Sequence, residues 1–202
     1  MTIYDRIGGE YDRYRTEIGA RDLLAVVEAM GDSLHVLDLG CGTGYPIAVR
    51  VAPRVSRYLG IDRSEAMLAA FRRNVPQAEC ACVDMTAIER LGTGWDLIFS
   101  WGALCHLPAE AQVRTLIAAA GLLNPSGRLL FTSGEEPGQC KGSVGGYRDV
   151  IDHVSLGKAA YTELLSANGM RILSAGLREG GHFTYLFQKP PNGLVSTRAR
   201  FG

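Results

Sequence analysis

The chain lacks most of what would tie it to an extended charged or apolar partner. Lys+Arg and Asp+Glu number 21 each, so no net field draws in nucleic acid or an anionic membrane, and the residue order concentrates no basic patch. No stretch approaches the roughly 18 uninterrupted apolar residues of a membrane span. The opening MTIYDRIGGEYDRYR carries charges throughout and has no apolar centre of the kind a secretory signal needs. The five cysteines (Cys41, Cys80, Cys82, Cys105 and Cys140) are odd in number and show no C-x-x-C spacing. Cys80 and Cys82 share one face of an expected strand, a poor geometry for pairing with each other. Reduced thiols and a cytoplasmic setting are the expectation.

What is present is an apolar fraction of 47% over 202 residues, enough for one well-buried core. Short β-branched or apolar runs alternate with helical patterns. Strands are expected over Leu34–Leu39, Arg57–Ile61, Ala78–Val83, Trp95–Ser100 and Gly127–Thr132. Helices fit Leu23–Met30, Glu65–Arg73 behind the cap Ser64, Ala109–Leu123, and Tyr161–Asn168, which closes on Gly169. Arg171–Ala175 and His182–Gln188 then read as two strands on a short link, which forces them antiparallel. The pattern predicts an α/β fold: a seven-stranded, mostly parallel sheet with one antiparallel strand and helices on both faces.

The strongest local signal is Val36-Leu37-Asp38-Leu39-Gly40-Cys41-Gly42-Thr43-Gly44, an apolar strand running into three glycines. Glycines let the backbone bend sharply and approach a ligand closely. Pro46 stands where a helix should begin, so that helix is expected to offer free N–H groups to the loop. A glycine-rich turn alone needs no ligand, but two aspartates change the reading. Asp62 ends the second strand, where a carboxylate can accept from ribose hydroxyls, and Asp84 ends the third, where it suits an exocyclic adenine amino group or caps the segment after it. Three such features on the carboxyl edges of adjacent strands mark the edge where open α/β sheets bind ligands.

The series V-L-D-L-G-C-G-T-G, Y-L-G-I-D-R-S-E-A-M-L, C-V-D-M-T, W-D-L-I-F-S and L-N-P-S-G-R-L-L-F resembles the motifs of class I S-adenosylmethionine-dependent methyltransferases of the small-molecule type, with their Rossmann-like fold. The resemblance runs from about Leu34 to Thr132. It implies that S-adenosyl-L-methionine is the cofactor and S-adenosyl-L-homocysteine the product. Gly40, Cys41 and Gly42 would then wrap the methionine portion, and Asp62 would hold the ribose. Arg63 and Met67 would pack on the adenine, and Asp84 would meet its amino group with the Met85 backbone alongside. Ser100 and Trp101 would line the sulfonium end. Arg15 would pair with the cofactor carboxylate, or be a solvated surface arginine. A nicotinamide dinucleotide is the competing cofactor, but the loop G-C-G-T-G-Y sets its third glycine one position early for G-x-G-x-x-G.

On this reading residues 1–33 form a helical cap segment over the cofactor site, with Tyr11 over the methyl-transfer point or simply packing an amphipathic helix. Residues 34–189 form the core, and 190–202 a polar tail. Residues 133–157 are glycine-rich and longer than a plain connection requires, which points to a lid or acceptor-binding insertion. His106, just past the fourth strand, is the candidate catalytic base or acceptor-orienting group, or a ring bonded to backbone beside Pro108. His153 and Glu135 are further acceptor-side candidates, although Glu135-Glu136 also reads as a solvated pair. His35 and His182 read as structural. The place after the fourth strand is Ser100-Trp101-Gly102-Ala103, without the Pro-Pro-aromatic run of enzymes that methylate nucleic-acid bases. No oxygen-ligand cluster marks a metal-dependent enzyme. The expectation is a metal-free transfer to oxygen or nitrogen of a small-molecule acceptor, oxygen favoured by His106. A cofactor-binding sensor without turnover would share the same fold.

Overall fold

A computed structural model describes residues 3–143, 150–178 and 180–191. The 190–202 tail beyond residue 191, and residues 144–149 of the 133–157 insertion, lie outside the described residues. In chain order the elements are α1 (Ile3–Ile7), a 3-10 stretch Gly8–Tyr14, α2 (Ala20–Glu28), β1 (His35–Leu39), α3 (Ile47–Val51), β2 (Arg57–Asp62), α4 (Glu65–Asn74), β3 (Glu79–Cys82), β4 (Trp95–Ser100), α5 (Ala109–Leu122), β5 (Leu123–Ser133), β6 (Pro137–Ser143), β7 (Val150–Leu156), α6 (Gly157–Ala167), β8 (Arg171–Leu177) and β9 (Phe183–Gln188). Seven strands form one sheet in the order β3-β2-β1-β4-β5-β9-β8, and β6 with β7 forms a separate hairpin. Within the main sheet β9 is the reversed strand, antiparallel to both β5 and β8. The seven-stranded, mostly parallel α/β architecture expected from the sequence is the one observed.

Period-two alternation explains why helices cover both faces. Leu37, Leu39, Ile98, Leu129 and Phe131 pack to one side with Leu116 of α5 and Tyr161 of α6. Val36, Tyr58, Leu97, Phe99 and Leu130 pack to the other with Leu23 of α2 and Phe71 of α4. Parallel strands buried on both faces need such continuous apolar runs. Ser64 caps α4 by accepting from the Met67 N–H, as its position before the helix predicts.

Several boundaries differ from expectation: α2 begins at Ala20 and not Leu23, α6 at Gly157 and not Tyr161, and β8 runs on to Leu177. β5 begins four residues before Gly127, because Leu123 already pairs with Trp95 before a register shift carries the strand through Asn124-Pro125-Ser126. The insertion 133–157 holds the antiparallel hairpin β6–β7, which alternation does not announce in a segment so rich in glycine.

Candidate active site

The carboxyl ends of β1, β2 and β3 open onto a cavity of about 720 Å³. Its floor is the glycine turn. Gly40 has φ +81, and a Cβ there would lie 2.4 Å from Ala103 Cβ, so only glycine fits between β1 and the loop after β4. Gly42 has open space where its Cβ would stand, which leaves its backbone bare to the cavity. Asp62 braces this turn: Oδ2 accepts from Gly42 N–H at 3.0 Å and Oδ1 from Ser64 N–H at 2.9 Å. Each oxygen keeps a lone pair, enough to accept from two ribose hydroxyls. Burial raises the Asp62 carboxyl, opposed by these backbone N–H groups. Arg63, Met67, Asp84 and Met85 line the same cavity. Asp84 caps the segment after it, its Oδ1 accepting from Thr86 N–H at 2.9 Å, while the residue also borders the cavity. The Cys41 thiol lines the cavity too, pushed well up by burial and so held neutral.

At the N-terminus of α3 one donor is already taken, for Val49 N–H donates to Gly44 O at 3.1 Å, and the turn before it is tightened by Gly44 N–H donating to Cys41 O at 3.0 Å. Ser100 departs from expectation. It is not among the residues lining the cavity, because its hydroxyl donates to Leu39 O at 2.9 Å and accepts from Leu104 N–H at 3.1 Å. Trp101 next to it does line the cavity.

The N-terminal segment docks on the glycine turn through polar anchors. The Asp12 carboxylate accepts from the Thr43 hydroxyl and, at 2.8 Å, from the Asn74 amide. Glu17 accepts from Arg50 Nε at 3.2 Å. Gly19, with φ +86, lies against the Trp101 indole so closely that a Cβ would come within 2.5 Å of Cε2. Tyr4, Tyr11 and Arg15 thereby line the cavity. The Arg15 guanidinium lies over the Tyr11 ring, 4.3 Å from its centroid, and donates through Nη2 to the Tyr11 hydroxyl. Its Nε is buried without a partner among the described residues, so it is no solvated surface arginine.

A second cavity of about 540 Å³ adjoins the first and shares Tyr4, Tyr11, Arg15, Gly102, His106 and His182 with it. The far wall is the β6–β7 hairpin, including His153 and Cys140. The hairpin is tied to the core by Gln112 of α5, fully buried, whose amide donates to Val154 O and Leu107 O at 2.9 Å each and accepts from Tyr161 OH at 2.6 Å. His106 Nδ1 lies 3.3 Å from Asp152 O and Nε2 lies 3.1 Å from Tyr4 OH. A carbonyl only accepts, so Nδ1 carries the proton and Nε2 accepts from the tyrosine. Burial lowers the His106 pKa, with a contribution from His153, whose ring centroid is 4.7 Å away. The ring is therefore neutral near pH 7. Glu135 is exposed and lines neither cavity; its neighbour Glu136 lines the second.

Three residues at the cavities escaped sequence reasoning. Asp38 lines the first, with its carboxyl pushed up to about 7 by burial although Tyr58 OH donates to it at 2.7 Å. Its signal was a carboxylate inside an otherwise apolar strand, facing a ligand edge. Tyr4 lies in the opening run MTIYDRIGGEYDRYR, whose repeated tyrosines single out no one ring. His182 precedes a strand antiparallel to β5, so it falls on the edge where the parallel strands end.

A family model described as a methyltransferase domain matches residues 36–127. Among curated relatives, the trans-aconitate 2-methyltransferase of Variovorax paradoxus is 36% identical over 123 residues, covering 59% of this chain and 46% of that protein. That of an Azoarcus species is 39% identical over 96 residues, covering 46% and 37%. The chain thus spans less than half the length of these relatives. Among solved structures, the S-adenosylmethionine-bound amino pentose methyltransferase CalS10 of Micromonospora echinaspora aligns with TM-score 0.72 at 18% identity, over 94% of this chain and 97% of that one. Magnesium protoporphyrin IX methyltransferase of Synechocystis, with S-adenosylmethionine bound, aligns with TM-score 0.66 at 19% identity, over 94% and 85%. Strand order and glycine turn together define the class I methyltransferase fold. Residues 36–127 thus match a methyltransferase domain, and the chain shares the fold of these solved methyltransferases.

Proposed function

We propose that this chain transfers the methyl group of S-adenosylmethionine to an oxygen of a small-molecule acceptor, with His106 as the base. The observation that carries this reading is the pair of cavities meeting at Tyr4, Arg15 and His106. One is built for a nucleoside-bearing cofactor and the other is closed by its own hairpin. The residues fit the cofactor: Asp62 keeps lone pairs for the ribose, Gly42 presents bare backbone, and Asp38 offers a buried carboxylate to an ammonium group. The bound cofactor supplies an activated methyl on a sulfonium, so the protein's tasks are alignment and exclusion of water. Gly40–Gly42, Asp62, Arg63, Met67, Asp84 and Met85 hold it; Trp101 and Tyr11 flank the transfer point. Residues 1–33 act as the cap, and the β6–β7 hairpin closes the acceptor side with His153. His106 Nε2 takes the proton of a hydroxyl acceptor, directly or through the Tyr4 hydroxyl.

A second acceptor chemistry is favoured by one observation. The unpartnered Arg15 Nε at the junction suits a carboxylate, and the relatives named above carry the name of a carboxylate substrate. A carboxylate is already nucleophilic and needs no base, so His106 would only orient it. Cofactor labelled on its methyl, incubated with protein and fractionated cytoplasmic extract, tests the reading. Label in the metabolite pool that disappears with Asp62→Ala supports it, and mass identifies the acceptor. Label in nucleic acid or protein overturns the small-molecule acceptor. Tight cofactor binding with no transfer to any pool supports a sensor instead.

A further inference from the structure

Cys105, His106 and His153 stand together where the hairpin meets the loop after β4. One ligating atom from each lies within 4.8 Å of the other two, and all three are half-buried. Cys105 Sγ is 3.9 Å from His106 Nδ1. Zinc-type ligand bonds of about 2.0–2.3 Å in a tetrahedron set neighbouring ligand atoms roughly 3.5 Å apart, so the three atoms need to draw together by about 1 Å to share an ion. The ligands come from two elements, Cys105 and His106 from a single 3-10 turn and His153 from β7. The His153 ring packs closely on Gly142, where a Cβ would fall 2.5 Å from Cε1.

We propose that Cys105 Sγ, His106 Nδ1 and a ring nitrogen of His153 form a site for a thiophilic divalent cation such as Zn²⁺, with a fourth position open to water. Thiolate and imidazole suit this class of ion, and hard oxygen-seeking cations find no carboxylate in the set. The geometry already contains the outer partner such a site needs: when Nδ1 binds the ion, Nε2 carries the proton and donates to Tyr4 OH at the observed 3.1 Å. The bond to Asp152 O is given up in exchange. A filled site pins the hairpin to the core and turns Nε2 from an acceptor into a donor. That last consequence rests on the proposed role of His106 as base; the binding itself does not.

The test uses the untagged full chain, stripped with a chelator, and Co²⁺ as the probe. The expected result is an equimolar complex with a thiolate-to-cobalt charge-transfer band and tetrahedral visible bands, displaced by Zn²⁺. The charge-transfer band is lost in Cys105→Ser, binding weakens by more than about tenfold in His153→Gln and about tenfold in Tyr4→Phe, and Cys140→Ser leaves all of it in place. Each variant is checked by circular dichroism and by its affinity for S-adenosylhomocysteine. Should Cys105→Ser fail to fold, alkylation of the wild-type chain gives the same answer: Zn²⁺ is expected to slow modification of Cys105 by at least about tenfold while Cys82, exposed, reacts as before. No charge-transfer band, a band that survives Cys105→Ser, a band that needs Cys140, or no protection of Cys105 overturns the site.

Discussion

Around the first cavity most of the wall comes from the ends of β1, β2 and β3 and the turns that follow them, within residues 36–127 where the methyltransferase domain matches, and Tyr4, Tyr11, Arg15, Asp152 and His182 complete it. Around the second, the walls come from places far apart in sequence: Tyr4, His106, Gln139, His153 and His182. The cofactor side holds itself through backbone. Asp62 accepts from Gly42 and Ser64, and Gly44 and Cys41 close the turn. The acceptor side is held by side chains reaching across elements, Gln112 to Val154 and Tyr4 to His106. A backbone-built site tolerates little change, because each part fixes the next. A site made of side chains on a hairpin and an N-terminal segment can be rebuilt for a new acceptor while the cofactor side stays put.

If the two sides are separable in this way, variants should divide cleanly between turnover and cofactor affinity. The largest effect is expected from His106→Gln. For a hydroxyl acceptor its loss should lower the transfer rate by about 10²–10⁴, with S-adenosylhomocysteine affinity within about twofold of wild type by calorimetry. A rate that barely falls would move the weight to a carboxylate acceptor oriented by Arg15. Asp62→Ala should do the reverse. Losing two hydrogen bonds to a charged acceptor at about 1.5–3 kcal/mol each weakens cofactor binding by about 100-fold or more. Rates measured at saturating cofactor should recover most of the loss. A turnover defect that saturation cannot repair would show that the two sides are coupled.

The same division explains what could be read from the sequence. The sheet, its reversed strand and the glycine-turn wall of the first cavity are legible because each depends on local signals: alternation, a glycine turn, a carboxylate at a strand end. Asp62 could be found by counting from Gly42. The acceptor side has no such register. His182 reads as structural in the sequence, because its place at the ligand edge follows from β9 pairing with β5, a contact between strands far apart in sequence that no local signal announces. Ser100 was placed in the cavity by resemblance, but its hydroxyl satisfies the backbone of the β4 turn. The hairpin was legible as excess length only, for Gly138, Gly142 and Pro137 suppress the pattern that marks strands.

A smaller effect should follow from Gln112→Met, which keeps the volume but removes the amide that ties Val154 and Leu107 to α5. The carbonyls left buried and the Tyr161 hydroxyl left without this acceptor cost about 1–3 kcal/mol, a fall in Tm of several degrees. The acceptor KM should rise by about tenfold as the hairpin loosens, while cofactor affinity holds. Equal losses on both sides would mean that α5 supports the whole site, and the comparison would fail.

The finest test sits inside the cofactor side and concerns Asp38→Asn. Burial holds the Asp38 carboxyl at about 7, while in the unfolded chain it titrates at about 3.9. Between those values the folded protein binds the extra proton, so stability conferred by the neutral carboxyl is fully present below about 4 and is lost as pH rises to about 7. Asparagine does not titrate and keeps an oxygen to accept from Tyr58. The Tm of the variant should therefore match wild type at low pH and pull ahead as pH climbs, levelling above 7. Cofactor binding reads the same group in the opposite direction. An ammonium beside Asp38 favours the carboxylate, so wild-type protein should release protons on binding S-adenosylhomocysteine near neutral pH. Calorimetry in two buffers of different ionisation enthalpy would detect that release, and it should vanish in Asp38→Asn. Equal proton release in both proteins would assign the proton to another group, leaving Asp38 as a partner of Tyr58 alone.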